Sequence, residues 1–139
     1  MLLDNARSLK HELRTPVNHI IGYSALLLET AEDTQNDTLA RLVSEINDLG
    51  NQLSKLIERN LISSERTISP EDIRAIQEAI SPVMGKIVEN LAAGNASVDD
   101  DAEQADLQRI SSAVDRLHSV LHASLVEEEQ VEQVQGRVH

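Results

Sequence analysis

The sequence predicts an all-α protein in which antiparallel helical hairpins form a four-helix bundle. Apolar residues recur at alternating spacings of three and four along four segments, which is typical of helices packed in a bundle. No segment alternates with a period of two for long enough to form a strand. Tyr23 is the single aromatic residue among 139, so the core must consist of aliphatic side chains that interdigitate between helices.

The chain is expected to form one domain, residues 1–127, followed by an acidic tail at 128–139 that frays at its end. The four helices are predicted at about 2–30, 38–62, 70–92 and 102–126. A polar stretch from Thr30 to Thr38 separates the first two helices, and Asp37 or Thr38 is expected to cap the second.

The third helix has the clearest start in the sequence. Ser69 can accept hydrogen bonds from the first turn, and Pro70 suits the first helical position. Pro82 lies inside this helix and is expected to kink or restart it because proline lacks a backbone N–H. Gly94 and Asn95 are expected to stop the helix.

Charge and composition exclude several classes of function. Twenty-four acidic residues against twelve basic ones give a net charge of -12, which disfavours nucleic-acid binding and adsorption to an anionic membrane. The absence of cysteine excludes disulfides, thiolate metal sites and cysteine nucleophiles. No apolar run approaches the roughly twenty residues that span a bilayer, and the N-terminus does not resemble a secretion signal. We therefore expect a cytoplasmic protein.

One segment, residues 11–16, carries chemistry. On an ideal helix Leu9 and Leu13 point into the bundle while His11 points to solvent, and Thr15 lies one turn further on the same exposed face. Glu12 is within local reach of the imidazole. Neutral imidazole has an unprotonated ring nitrogen that can attack phosphorus, and a neighbouring carboxylate can stabilise the cation that develops. Pro16 leaves the carbonyl of residue 12 without its helical partner, so the helix should bend there.

Residues 11–18 (HELRTPVN), continuing through 20–24 (IIGYS) to 26–29 (LLLE), resemble the H-box of the dimerisation and histidine-phosphotransfer domain of sensor histidine kinases. The resemblance implies that His11 is the phosphoryl acceptor and Glu12 its acid/base partner. It also implies that Thr15 positions a water for dephosphorylation of the partner and that Pro16 supplies a helix bend. Lys10 stands where a small residue is common, and its charge could attract phosphate.

The resemblance also implies partners. These are the receiver domain of a response regulator, which would carry the Mg²⁺ used in the exchange, and a histidine kinase catalytic domain that would supply phosphate. Self-phosphorylation from ATP is not expected, because the five glycines do not cluster into ATP-binding boxes, and no intrinsic cofactor or metal is expected in this chain. Whether the chain is a piece of a larger kinase or receives phosphate from another protein stays open. A non-catalytic adaptor that keeps the fold and sequesters a signalling partner is the alternative.

The pairing of the helices is also open. Residues 106–113 (DLQRISSA), running to Leu121, resemble the second helix of such domains, so the family hairpin is either the first helix with the fourth or the first with the second. Hairpins of the family dimerise, which favours a homodimer. One chain already supplies four helices, so a monomer could also bury all four apolar stripes.

A pair of histidines and a run of aspartates could suggest metal sites, but a structural role is the favoured interpretation of each. His118 and His122 are spaced for a zinc site but have no obvious third ligand, although Glu127 to Glu129 are nearby, so they are interpreted as polar side chains at the edge of the core. The Asp99–Asp101 run lacks the pattern of a calcium loop and is expected to cap the fourth helix.

Overall fold

The computed structural model describes the backbone of residues 5–61 and 68–138, and the side chains of residues 7–61 and 68–124. It contains four helices, α1 (Asn5–Asp33), α2 (Asp37–Asn60), α3 (Pro70–Ala96) and α4 (Asp101–Val138), and the described residues form no strand. The predicted all-α four-helix bundle is confirmed. The predicted start of the first helix at residue 2 lies outside the described residues.

The helices form a closed ring in chain order. In the described part of the chain α1 packs against α2 and α4, and α3 packs against the same two helices, whereas α1 does not contact α3 and α2 does not contact α4. Each helix lays one aliphatic stripe into the shared core. The most deeply buried side chains include Leu13, Ile20 and Leu27 of α1, Leu39, Ile46 and Leu53 of α2, Ile73, Ile76 and Ile80 of α3, and Leu107, Ile110 and Leu117 of α4.

The turn between α1 and α2 corrects the predicted helix cap. Asn36, rather than Asp37 or Thr38, caps α2, and its side-chain oxygen accepts a hydrogen bond from the backbone N–H of Leu39 at 3.1 Å. Gln35 adopts a left-handed backbone with φ of 58°, which brings the N–H of Asn36 to 2.8 Å from the carbonyl of Ala31. This tight reversal starts α2 one residue earlier than the polar composition indicated.

The start of α3 agrees with the sequence. The Ser69 hydroxyl accepts a hydrogen bond from the N–H of Asp72 at 3.2 Å, and the Asp72 carboxylate accepts one from the N–H of Ser69 at 3.0 Å. Pro70 occupies the first turn, where no intrahelical donor is needed. The two reciprocal bonds form a capping box that satisfies backbone groups which a helix start would otherwise leave open.

The interior and end of α3 differ from the prediction. The helix runs through Pro82 without restarting, and it continues past Gly94 to Ala96. Gly94 is buried, and a side chain there would lie 3.4 Å from Cδ2 of Leu107. That distance is an ordinary van der Waals contact, so Gly94 packs beside α4 inside the helix and does not end it.

The fourth helix begins as predicted but ends later. The Asp100 carboxylate accepts a hydrogen bond from the N–H of Glu103 at 3.0 Å, so the acidic run does cap α4. The helix then continues to Val138, beyond the predicted end at 126 and through most of the tail that was expected to fray. The stretch 126–135 contains no glycine or proline and is rich in Glu and Gln, which favour helix, so nothing in it interrupts the backbone hydrogen bonds. Across the described residues, no helix combines the length and apolarity that crossing a membrane requires.

Candidate functional site

His11 lies near the N-terminal end of α1 with its side chain exposed. The flanking Leu9 and Leu13 are 4% and 0% exposed and point into the bundle. The arrangement predicted from the helical period is therefore confirmed, because the leucines anchor this part of α1 and leave the imidazole open to solvent. An exposed imidazole on an anchored helix can be approached by a second protein without unfolding the bundle.

Glu12 and Thr15 are exposed on the same part of α1. The described residues provide neither His11 nor Glu12 with a hydrogen bond or ion pair, so the two groups are close in sequence but not joined. Thr30 and Thr34 donate hydrogen bonds to carbonyls one turn earlier, at 3.1 and 2.9 Å, whereas Thr15 forms no such bond with a described residue. The Thr15 hydroxyl is therefore not engaged by its own helix.

The two cations that flank His11 are held by one carboxylate on α2. Glu58 lies 2.9 Å from the ammonium of Lys10 and accepts a 2.9 Å hydrogen bond from Nε of Arg14, with a second contact from the Arg14 guanidinium. The hydrogen bond from Arg14, followed by that from Lys10, lowers the pKa of the Glu58 carboxyl below its usual value. Lys10 is thus directed toward α2, and the cluster of two cations and one anion leaves one net positive charge beside the histidine.

Pro16 is buried within α1, and the helix continues through it. The missing N–H leaves the carbonyl of Glu12 without its intrahelical partner, directly after the histidine. The bend expected there stays a prediction.

A groove of about 510 Å³ runs between α1 and α4, beginning one turn beyond His11. Its walls are Thr15, Pro16, His19 and Tyr23 of α1, and Gln108, Arg109, Ser112, Ala113 and Arg116 of α4. The Arg109 guanidinium sits 5.6 Å from the centre of the Tyr23 ring and pairs with Asp106, while the His19 ring meets Tyr23 edge-on at 6.0 Å. The groove combines an aromatic surface with two arginines in a chain whose net charge is -12.

The opposite side of α1 is closed against α2. Asn47 donates hydrogen bonds to the carbonyl of Ile21 at 3.0 Å and to the hydroxyl of the fully buried Ser24 at 3.1 Å. A side chain at Gly50 would lie 2.9 Å from Cγ1 of Ile21, so the two helices meet backbone to side chain at this point. These contacts fix the position of α1 on α2.

Sequence reasoning found the exposed residues but missed Glu58, Asn47 and the arginines of α4. Glu58 pairs with residues 44 and 48 positions earlier in the chain, and such a pairing follows from the packing of α1 on α2. No local pattern marks it. Arg109 and Arg116 are spaced seven apart, which places them on one face of α4, but only the helix pairing shows that this face adjoins α1.

The paired histidines of α4 lie apart from the groove beside α1. His118 and His122 are both exposed on α4. In the part of the chain that the structure describes, no three side chains of His, Asp or Glu are grouped so that they could hold a metal ion.

Comparison with known families decides between the two helix pairings. Residues 1–67 match the family of the His Kinase A (phospho-acceptor) domain. Because the match spans α1 and α2, the family hairpin is the first pair of helices, and α3–α4 follows it as a second hairpin. The match places this segment in two-component signalling. Neither the curated proteins nor the solved structures that were compared gave a match.

Proposed function

We propose that the chain is a histidine phosphotransfer domain in which His11 exchanges a phosphoryl group with the aspartate of a response-regulator receiver. The observation that carries the proposal is the exposure of His11 inside a His Kinase A segment whose flanking leucines are buried. This exposure supports phosphotransfer, since the imidazole is accessible to another protein while the helix that carries it is held in the bundle.

In the proposed exchange the unprotonated ring nitrogen of His11 attacks the phosphorus of the receiver's aspartyl phosphate. The new N–P bond forms as the P–O bond to the aspartate breaks, and the aspartate carboxylate leaves with the electron pair. The other ring nitrogen keeps its proton, and the Glu12 carboxylate stabilises the resulting cation. The same steps in reverse phosphorylate the receiver.

The residues around His11 support the transfer by position and charge. The net positive charge of the Lys10–Glu58–Arg14 cluster attracts a phosphoryl group to this end of α1. Thr15, whose hydroxyl is not bonded within its helix, would position a water when the partner is dephosphorylated. Mg²⁺ would come with the receiver, and the chain would act in the cytoplasm.

The proposal also assigns the docking face. The receiver would dock on the α1–α4 side, because the groove begins at Thr15 and Pro16 while the α2 side of α1 is closed by Asn47 and Gly50. A receiver surface that carries carboxylates would complement Arg109 and Arg116.

The proposal is tested by chemical and enzymatic phosphorylation. Phosphoramidate, a small donor that phosphorylates histidine, should label His11 in the wild-type chain, and a panel of phosphorylated receivers should include one that transfers its label to the same residue. His11→Gln should abolish transfer from the receiver, and His19→Gln, which removes another exposed histidine of α1, should not. A receiver that binds His11→Gln as well as wild type, with no phosphohistidine in either, would support the adaptor function instead.

A further inference from the structure

The two hairpins of the bundle repeat the same core pattern. Seven buried positions of α1 have buried counterparts 67 residues later, six of them in α3 and the last, Val98, just beyond its end. The pairs are Leu9 and Ile76, Leu13 and Ile80, Val17 and Met84, Ile20 and Ile87, Ser24 and Leu91, Leu27 and Gly94, and Ala31 and Val98. Buried Pro16 is the exception, since its counterpart Val83 is half-buried.

The second helices of the two hairpins repeat in the same way, at 68 residues. The buried pairs are Leu39 and Leu107, Leu42 and Ile110, Ile46 and Val114, Leu49 and Leu117, and Leu53 and Leu121. The offset grows by one because the step from Val98 to Leu107 is one residue longer than the step from Ala31 to Leu39. The sequences agree as well, since LARLVS at 39–44 corresponds to LQRISS at 107–112.

A faint copy of the residue 11–17 motif is present in α3. Residues 77–83 (QEAISPV) parallel HELRTPV, with Glu, Pro and Val retained and Ser in place of Thr. The two motifs are offset by 66 residues, one residue fewer than the offset of 67 between the buried positions of the two helices. One residue is about 100° around a helix, which accounts for the burial of Pro16 and the exposure of Pro82.

The copy has lost the chemistry of the original. In the core alignment Glu78 takes the place of His11, Ala79 that of Glu12 and Pro82 that of Thr15, and in the motif alignment Gln77 takes the place of His11. α3 contains no histidine in either alignment. Neither alignment therefore gives α3 an imidazole at the position of His11, and the histidines of the second hairpin, His118 and His122, lie on α4.

The ring of helices has the symmetry that such a repeat requires. Exchanging α1 with α3 and α2 with α4 leaves the set of contacting helix pairs unchanged, as a pseudo-twofold relation between the hairpins requires. The core stripe of every helix is covered within this single chain, and Leu26 and Val88 are the large hydrophobic side chains that remain exposed in the described part. On residues 7–61 and 68–124, whose side chains the structure describes, a second copy would find no apolar stripe to bury.

We propose that α3–α4 takes the place of a second copy's hairpin, so that the chain is a monomeric bundle with two pseudo-equivalent faces and a single acceptor, His11. This replaces the homodimer predicted from the family resemblance. The monomeric bundle is inferred from the repeat alone, whereas the single acceptor rests on the proposed function. One receiver, not two, would then dock on each four-helix bundle.

The experiment measures the mass of the full chain by sedimentation equilibrium over a wide range of concentrations. We expect 15.3 kDa throughout and a thermal midpoint that does not depend on concentration. A mass of twice this value, or a midpoint that rises with concentration, would overturn the monomer. These readouts do not involve phosphate, so they separate the fold part from the proposed function.

The acceptor count is tested on the phosphorylated chain. Intact mass after labelling by the transferring receiver should show one phosphoryl group per chain, and titration calorimetry should give one receiver per chain. The Glu78→Gln variant should keep both values, whereas His11→Gln should lose the phosphoryl group. Two receivers per chain, or a label retained on α3, would contradict a single active face.

Discussion

The carboxylate of Glu58 on α2 lies 2.9 Å from the ammonium of Lys10 on α1, the residue directly before His11. Glu58 also accepts a hydrogen bond from Arg14, so one acidic residue fixes the cations on both sides of the histidine. The contact links the position of the candidate acceptor to the packing of α1 against α2. Substitution of Glu58 therefore changes the charge near His11 without altering the imidazole.

We expect the stabilising effect of Glu58 to be lost in acid. Its pKa is lowered in the folded protein by the hydrogen bonds from Arg14 and Lys10, so the unfolded chain binds a proton more readily than the folded one. The contribution is therefore complete above the usual glutamate pKa and disappears as the pH falls through the lowered pKa. The stability difference between wild type and Glu58→Gln in urea unfolding should shrink between pH 6 and pH 3.

The effect should be small, because the Glu58 side chain is 43% exposed and solvent screens its ion pairs. Glu45→Gln, which changes an exposed glutamate of the same helix, is the matched control and should show no such trend. A stability difference that is constant over this pH range would show that the cluster does not favour the ionised carboxylate.

His11→Gln should remove the acceptor without affecting the fold. The side chain is exposed and has no partner among the described residues, so its replacement should change the free energy of unfolding by less than about 0.5 kcal/mol. Leu13→Ala, two residues away but fully buried, should cost about 2–5 kcal/mol. Denaturant unfolding followed by circular dichroism measures both, and a large loss for His11→Gln would mean that the histidine has a structural role.

Gly50→Val should destabilise the contact of α1 with α2. A side chain at this position meets Cγ1 of Ile21 at 2.9 Å and Cγ2 of Ile20 at 3.2 Å, and overpacking of this kind costs about 1–3 kcal/mol. Gly85→Ala is the control, since nothing lies within 4 Å of its added methyl group. It should stabilise α3 by about 0.5–1 kcal/mol through helix propensity alone. Opposite signs of the two shifts in thermal midpoint are the expected result.

Ser69→Ala should weaken the start of α3. The change removes the acceptor for the N–H of Asp72, and loss of an N-cap side chain costs about 1 kcal/mol. Ser119→Ala, at an exposed site inside α4, should not destabilise the protein. Ser69→Asp restores an acceptor and should recover most of the loss, and failure of this rescue would argue against capping as the cause.

The fold could be predicted from the sequence because it depends on periodicity. The aliphatic spacing gives four helices, and the Ser69–Pro70 pair defines the start of α3 from local chemistry alone. The cap of α2 was placed wrongly because the left-handed Gln35 sets it, and glutamine carries no preference that marks such a turn. Gly94 does not stop α3, because its φ is not positive and the helical hydrogen bonds continue through it to Ala96.

The candidate site could be predicted in part for the same reason. The exposure of His11 and Thr15 follows from the phase of the helix relative to Leu9 and Leu13. The groove beside these residues could not be predicted, since it depends on α4 lying next to α1. The periodicity of a helix does not indicate which other helices it will contact.

The ring of four different helices in one chain also affects how this protein can change. In an assembly of identical subunits every substitution appears twice, so a residue that improves one side must be tolerated on the other. In this chain a substitution in α3 or α4 changes only one of the two hairpins of the bundle. Substitutions in the groove beside α1 can therefore change its preference for a partner, while the sequence of α3 changes independently.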